Sequence, residues 1–176
     1  MRDYVALFRG INVGGRHSLP MQDLRDILAT LGCEHVKTYI QSGNAVFRSA
    51  DSADELAGEI RAAIEQRFGF APLVLLLSKA DFAAIVAANP YPDAVATPKY
   101  LHVWFLAGSP RDPDLAALEA LKAESEAFTL AARALYLHAP DGTGRSKLAE
   151  KVEKYLRVEA TARNWRTVSK ILELVD

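Results

Sequence analysis

The sequence predicts an α+β fold made of two ferredoxin-like (split β-α-β) halves with antiparallel sheets. Three observations carry that expectation. Strand-type and helix-type hydrophobic spacing alternate along the chain, the first 79 residues read in the order β-α-β-β-α-β, and most of that order recurs after residue 80. Half of the 176 positions are apolar, enough for one compact domain or two small halves, and no low-complexity linker separates them. The expected division is 1–79 for the N-terminal half and 80–176 for the C-terminal half, the latter with an extra C-terminal helix.

Each element has its own warrant. Residues 3–9 (DYVALFR) are rich in strand formers and are stopped by glycines. Pro20 suits the first turn of a helix over 20–31, where Leu24, Ile27, Leu28 and Leu31 share a face and Gly32 closes the end. Strands over 36–40 and 45–48 flank Gln41, Ser42, Gly43 and Asn44, which is hairpin chemistry because Gly and Asn tolerate positive φ. A helix over 53–68 puts Leu56, Ile60 and Ile64 on one face, and 73–77 reads as a fully buried strand. The second half gives a helix over 80–88, the breaker Asn89-Pro90-Tyr91-Pro92, a strand over 100–106 and a helix over 113–124. Strands over 127–130 and 134–138 and a helix over 145–156 follow. No final strand is obvious there. A last helix over 162–174, N-capped by Thr161, turns Trp165, Val168, Ile171 and Leu172 inward and Arg163, Arg166 and Lys170 to the other side.

Charge and composition narrow the function classes. The net charge of -1 conceals an asymmetry: between Arg145 and Lys170 stand eight of the 21 basic residues and only three of the 22 acidic ones. The rest of the chain is acidic. A single cysteine, Cys33, excludes an internal disulfide and a multi-thiolate metal site, and no secretory leader or apolar stretch of the ~20 residues a membrane span needs is visible. A cytoplasmic protein without membrane association is expected. His17, His35, His102 and His138 lack metal-ligand spacing and are expected to be surface or satisfied core, so no metal and no cofactor is anticipated.

Three segments carry anion-binding chemistry. In FRGINVGGR, residues 8–16, Arg9, Asn12 and Arg16 surround a flexible turn containing Gly14 and Gly15. Gly10 and Gly15 have the glycine spacing of a phosphate loop, but Arg16 and His17 replace its lysine and its magnesium-binding hydroxyl. Residues 141–147 (DGTGRSK) form a Gly-rich turn entering a helix whose first amides lack intrahelical acceptors, with Arg145, Ser146 and Lys147 adding donors. Residues 161–166 (TARNWR) supply Arg163, Asn164 and Arg166 at the start of the last helix.

With these segments in hand, ALFRGINVGGR, TYIQSGNAVF, GRSKL and TARNWRTVSKILEL, in that order, resemble the bacterial domain-of-unknown-function family 1697. The resemblance runs from about residue 4 to the end of the chain. It implies two ferredoxin-like halves and brings no activity, cofactor or catalytic residue. It also implies a lysine after GINVGG, where this chain has Arg16; the charge is kept, but the fork of a guanidinium replaces a compact ammonium.

The functional expectation is therefore binding of a phosphate-rich ligand or nucleic acid, RNA or DNA. Arg9, Arg16, Arg145, Lys147, Arg163 and Arg166 would hold phosphates, and Asn12, Gln41 and Asn44 would add polar contacts. The alternatives are an enzyme acting on a nucleotide or another phosphorylated metabolite, and a protein-protein interaction module. Phe8, Tyr39 and Phe47 lie on expected strands, in a pattern that suits a core as well as a base-stacking platform.

Overall fold

β1 (Arg2–Arg9) runs between two antiparallel neighbours in the computed structural model, which describes all 176 residues. That central place buries residues 4–8 without interruption, and successive side chains go to opposite faces. Tyr4, Ala6 and Phe8 enter a core with Leu24, Ile27 and Leu28 of α1 (Met21–Thr30) and Leu56, Ile60 and Ile64 of α2 (Ala53–Phe68). Val5 and Leu7 are buried on the other face. β2 (Glu34–Tyr39), β3 (Asn44–Ser49) and β4 (Leu73–Ser78) complete a sheet of order β2-β3-β1-β4, with Val5 opposite Val46 on one side and Leu77 on the other.

The local chemistry explains the boundaries. Ser52 caps α2: its hydroxyl accepts from the Glu55 amide and donates to the Glu55 carboxylate, and Gly69 at φ 78° ends the helix. Gly32 at φ 79° performs the same turn after α1, its amide bonding to the carbonyl of Ala29. α3 (Lys79–Ala87) follows β4 directly.

The second sheet consists of β5 (Leu101–Leu106), β6 (Ala127–Leu130), β7 (Ala134–His138) and β8 (Ala160–Asn164) in the order β6-β7-β5-β8. Position for position this repeats the order of the first sheet. α4 (Leu115–Leu121) and α5 (Lys147–Leu156) cover one face, where Leu118, Leu148, Val152 and Leu156 pack against Trp104, Leu106, Leu135 and Leu137.

β8 corrects the sequence reading. The second half does have its final strand, so its order is a full β-α-β-β-α-β, and α6 (Trp165–Val175) starts three residues later than expected. The cap is Asn164, whose Oδ1 accepts from the Thr167 amide at 3.0 Å, and not Thr161. Of Ala, Thr, Ala, Arg and Asn only Thr161 favours a strand; pairing along β5, from Leu106 with Ala160 to His102 with Asn164, imposes the extended state. α4 is also shorter than its expected span, because Asp114 caps its start and Lys122 leaves it in an extended conformation.

Two compact units result: Met1–Ala84 together with Lys170–Asp176, and Ile85–Ser169. No helix is long and apolar enough to cross a membrane.

Candidate functional site

In the first unit, the FRGINVGGR segment leaves β1 as a small hairpin. The Arg16 amide donates to the Val13 carbonyl at 3.0 Å and the Asn12 amide to the His17 carbonyl at 3.0 Å, so neither amide is available to an anion. Asn12, at φ 53°, is a clamp: its side-chain nitrogen donates to the carbonyls of Leu19 at 2.9 Å and Gln41 at 2.7 Å, and its oxygen accepts from the Leu19 amide at 2.7 Å. The other side of the junction is closed by Gly43. Its carbonyl accepts from the Phe8 amide, and a side chain there would meet Phe8 Cβ at 2.7 Å and Ile11 Cδ1 at 2.6 Å. Asn44 is buried, its amide donating to the Tyr39 carbonyl and the Ser42 hydroxyl. Asn12 and Asn44 thus hold main chain, where the sequence suggested ligand contacts. Arg9, Gly14, Gly15, Arg16 and Gln41 are exposed. α1 begins only at Met21, so the loop does not lead into helix amides.

The second unit contains an open pocket at the start of α5. Residues 143–145 make one 3-10 turn, and Ser146 then caps α5, accepting from the Ala149 amide at 3.0 Å and donating to the buried carboxylate of Glu126 at 2.8 Å. The turn closes one end of a pocket of about 420 Å³. Arg145, Lys147 and Thr143 line it with polar groups, Trp104 and Ala162 with apolar surface, and Glu150 with a carboxylate already paired to Lys151 at 2.8 Å. At the first turn of α5 the amides of Lys147 and Leu148 have no intrahelical acceptor.

His102 is the residue sequence reasoning missed. It lies on β5 opposite Asn164 and Leu137 and lines the same pocket. Its Nδ1 is buried without any hydrogen-bond partner, so it is neither surface nor a satisfied core histidine. Burial holds its pKa below the ordinary imidazole value, which leaves the ring neutral at pH 7. No sequence pattern marks this residue, because its neighbours come together only through strand register.

The sequence profile of the family described as "Protein of unknown function (DUF1697)" matches residues 1–136. The chain belongs to this family. Its fold is similar to that of a conserved bacterial protein from Streptococcus pneumoniae, with 26% identity and a TM-score of 0.75 over 99% of each chain. No curated protein matches the sequence. In this family member the loop after β1 and the β2–β3 turn fall inside the matched region. The α5 turn and β8 fall beyond it but inside the part that resembles the streptococcal structure.

The remaining candidates of this DUF1697 chain separate. Arg163 is on β8, buried, with one guanidinium nitrogen donating to the Thr161 hydroxyl at 2.7 Å and the Ala162 carbonyl at 2.8 Å; burial lowers its pKa to about 10, so it stays a cation. Asn164 caps α6, and Arg166 is exposed on that helix. None of the three lines the pocket. Phe8 and Phe47 are in the core and offer no stacking face. Cys33 is buried, and desolvation, then Asp51 and Glu59, push its thiol up to about 11, which rules out a thiolate nucleophile at neutral pH. No group of three or more His, Cys, Asp or Glu side chains could hold a metal ion.

Proposed function

We propose that this protein binds a small phosphate-bearing molecule in the pocket at the start of α5. The observation that carries the reading is that two exposed cations, Arg145 and Lys147, line a pocket of about 420 Å³ at the N-terminus of a ten-residue helix. The opening amides of that helix carry the positive end of its dipole, which favours an anion there. The volume is that of ordinary small-ligand pockets, roughly 300–1,000 Å³. Trp104 and Ala162 give an apolar wall for the part of the ligand away from the phosphate, and His102 adds a neutral imidazole to the lining.

A small ligand is favoured over a nucleic acid strand by what the fold does with the other candidates. Arg163 is buried, Asn12 and Asn44 are committed to main chain, and of the strand aromatics Phe8 and Phe47 are internal and Tyr39 is half-buried. A strand would need a continuous cationic track and exposed rings. A thermal-shift screen of inorganic phosphate, mononucleotides and sugar phosphates tests the reading, since a ligand at a hundred times its Kd stabilises by about 2.7 kcal/mol. A shift abolished in Arg145→Ala supports it. Silence with all three classes, or a response to oligonucleotides alone, overturns it.

A further inference from the structure

We propose a second, separate site: the paired loops 10–17 and 40–43 of the first unit form a docking surface for an acidic polypeptide segment that carries aliphatic side chains. Val13 and Ile40 are among five large apolar residues left exposed, at 64% and 48%. They are neighbours of the two residues joined by the 2.7 Å bond from the Asn12 side chain to the Gln41 carbonyl, so one hydrogen bond ties both loops beside the residues that display them. The surface is preorganised. Asn12, His17 and Ile40 all have φ near +50°, and for a β-branched residue such as Ile40 that conformation is a true outlier, which persists only where surrounding structure enforces it. The enforcement is visible: the Asn12 clamp, the close packing of Gly43 on Phe8 and Ile11, and His17, whose ring bonds to the Gly10 carbonyl and stacks on Phe70 at 4.6 Å. The same contacts that stabilise the two loops therefore hold Val13 and Ile40 in fixed positions at the surface.

The chemistry of the loops selects the partner. No Asp or Glu occurs in residues 9–22 or 35–50, on a chain whose net charge is negative, while the exposed Arg16 closes the hairpin. Charge complementarity asks for carboxylates or phosphates, and the two aliphatic side chains ask for apolar contact. Single-stranded nucleic acid is answered by a series of exposed aromatic platforms, and here Phe8 is buried, one face of the His17 ring is covered by Phe70, and Tyr39, beside Ile40, is half-buried. An acidic polypeptide with leucine-like side chains meets both requirements.

The test is an amide-resolved NMR titration of the 15N-labelled full chain at low salt with a short Glu-rich peptide carrying leucines, its Lys-for-Glu counterpart, and a short oligothymidylate. The acidic peptide should move the amides of residues 10–17 and 40–43 and the basic peptide should not. Val13→Ser and Ile40→Ser should each weaken the response roughly tenfold, about the loss of one buried apolar contact. Val95→Ser, at another exposed apolar position, should leave it unchanged. Because all three replaced side chains are exposed, the variants keep their fold, which the unperturbed remainder of the spectrum verifies. Response to the basic peptide, a stronger response to oligothymidylate, or no movement of these amides with the acidic peptide overturns the proposal.

Discussion

Asn12→Asp separates the clamp from the backbone it occupies. Both residues tolerate φ near +50°, so the left-handed conformation is retained, and the acceptor oxygen that takes the Leu19 amide is retained as well. What disappears are the two donated bonds, to Leu19 at 2.9 Å and Gln41 at 2.7 Å, and a carboxylate then faces two carbonyl oxygens. At about 0.5–1.5 kcal/mol net for each bond, the loss is about 1–3 kcal/mol. Asn12→Ala removes all three bonds and the left-handed preference, and should cost more. The assay is urea unfolding followed by circular dichroism. Fluorescence is the wrong probe, because both tryptophans, Trp104 and Trp165, are in the second unit. Hydrogen exchange adds a site-specific reading: the Leu19 amide should stay protected in Asn12→Asp and lose protection in Asn12→Ala. A change within about 0.5 kcal/mol for both variants, with Leu19 exchanging freely in each, would refute the clamp.

Three further outcomes are expected. Gly43→Ala combines a φ of 91° with contacts of 2.6–2.7 Å to Ile11 and Phe8, and should destabilise by about 2–4 kcal/mol in the same assay, whereas alanine at Gly58, where a side chain meets nothing, should stabilise slightly. Cys33 should resist thiol reagents at about pH 8 until the protein unfolds. Because its folded pKa, about 11, lies above the ordinary 9.0, the protonated thiol's contribution to stability is complete below 9 and is lost as pH rises through 11. His102 has a folded pKa below the ordinary 6.5, so its contribution is complete above 6.5 and is lost as pH falls through the lower folded value; the ring signal in an NMR titration should have its midpoint below 6.5.

The elements that could be read from the sequence are those whose ends carry explicit chemistry. α2 has the expected limits because Ser52 and Gly69 mark them, and the β6–β7 pair has its outer limits because Glu124-Ser125-Glu126 precede it and Pro140-Asp141-Gly142 follow shortly after it. β8 could not be read, since Thr161 and Arg163 become strand residues only through β5, more than fifty positions earlier. The same limit governs the sites. The turn that carries Arg145 and Lys147 could be read because a Gly-rich segment before a helix is a local arrangement. Asn12 and Asn44 look like any other polar loop residues; whether an amide faces solvent or ties a turn depends on carbonyls elsewhere in the chain. His102 carries no local sign at all. Arg163 was placed on the wrong kind of surface because the strand that buries it was missed.

The most direct measurement follows the amides of Lys147 and Leu148, together with the His102 ring, by NMR while inorganic phosphate or a mononucleotide is added to the full chain. Saturable movement of these signals, absent in Arg145→Ala, is the predicted result. Signals at the start of α5 that stay fixed while those elsewhere move, or that stay fixed altogether, would contradict the account.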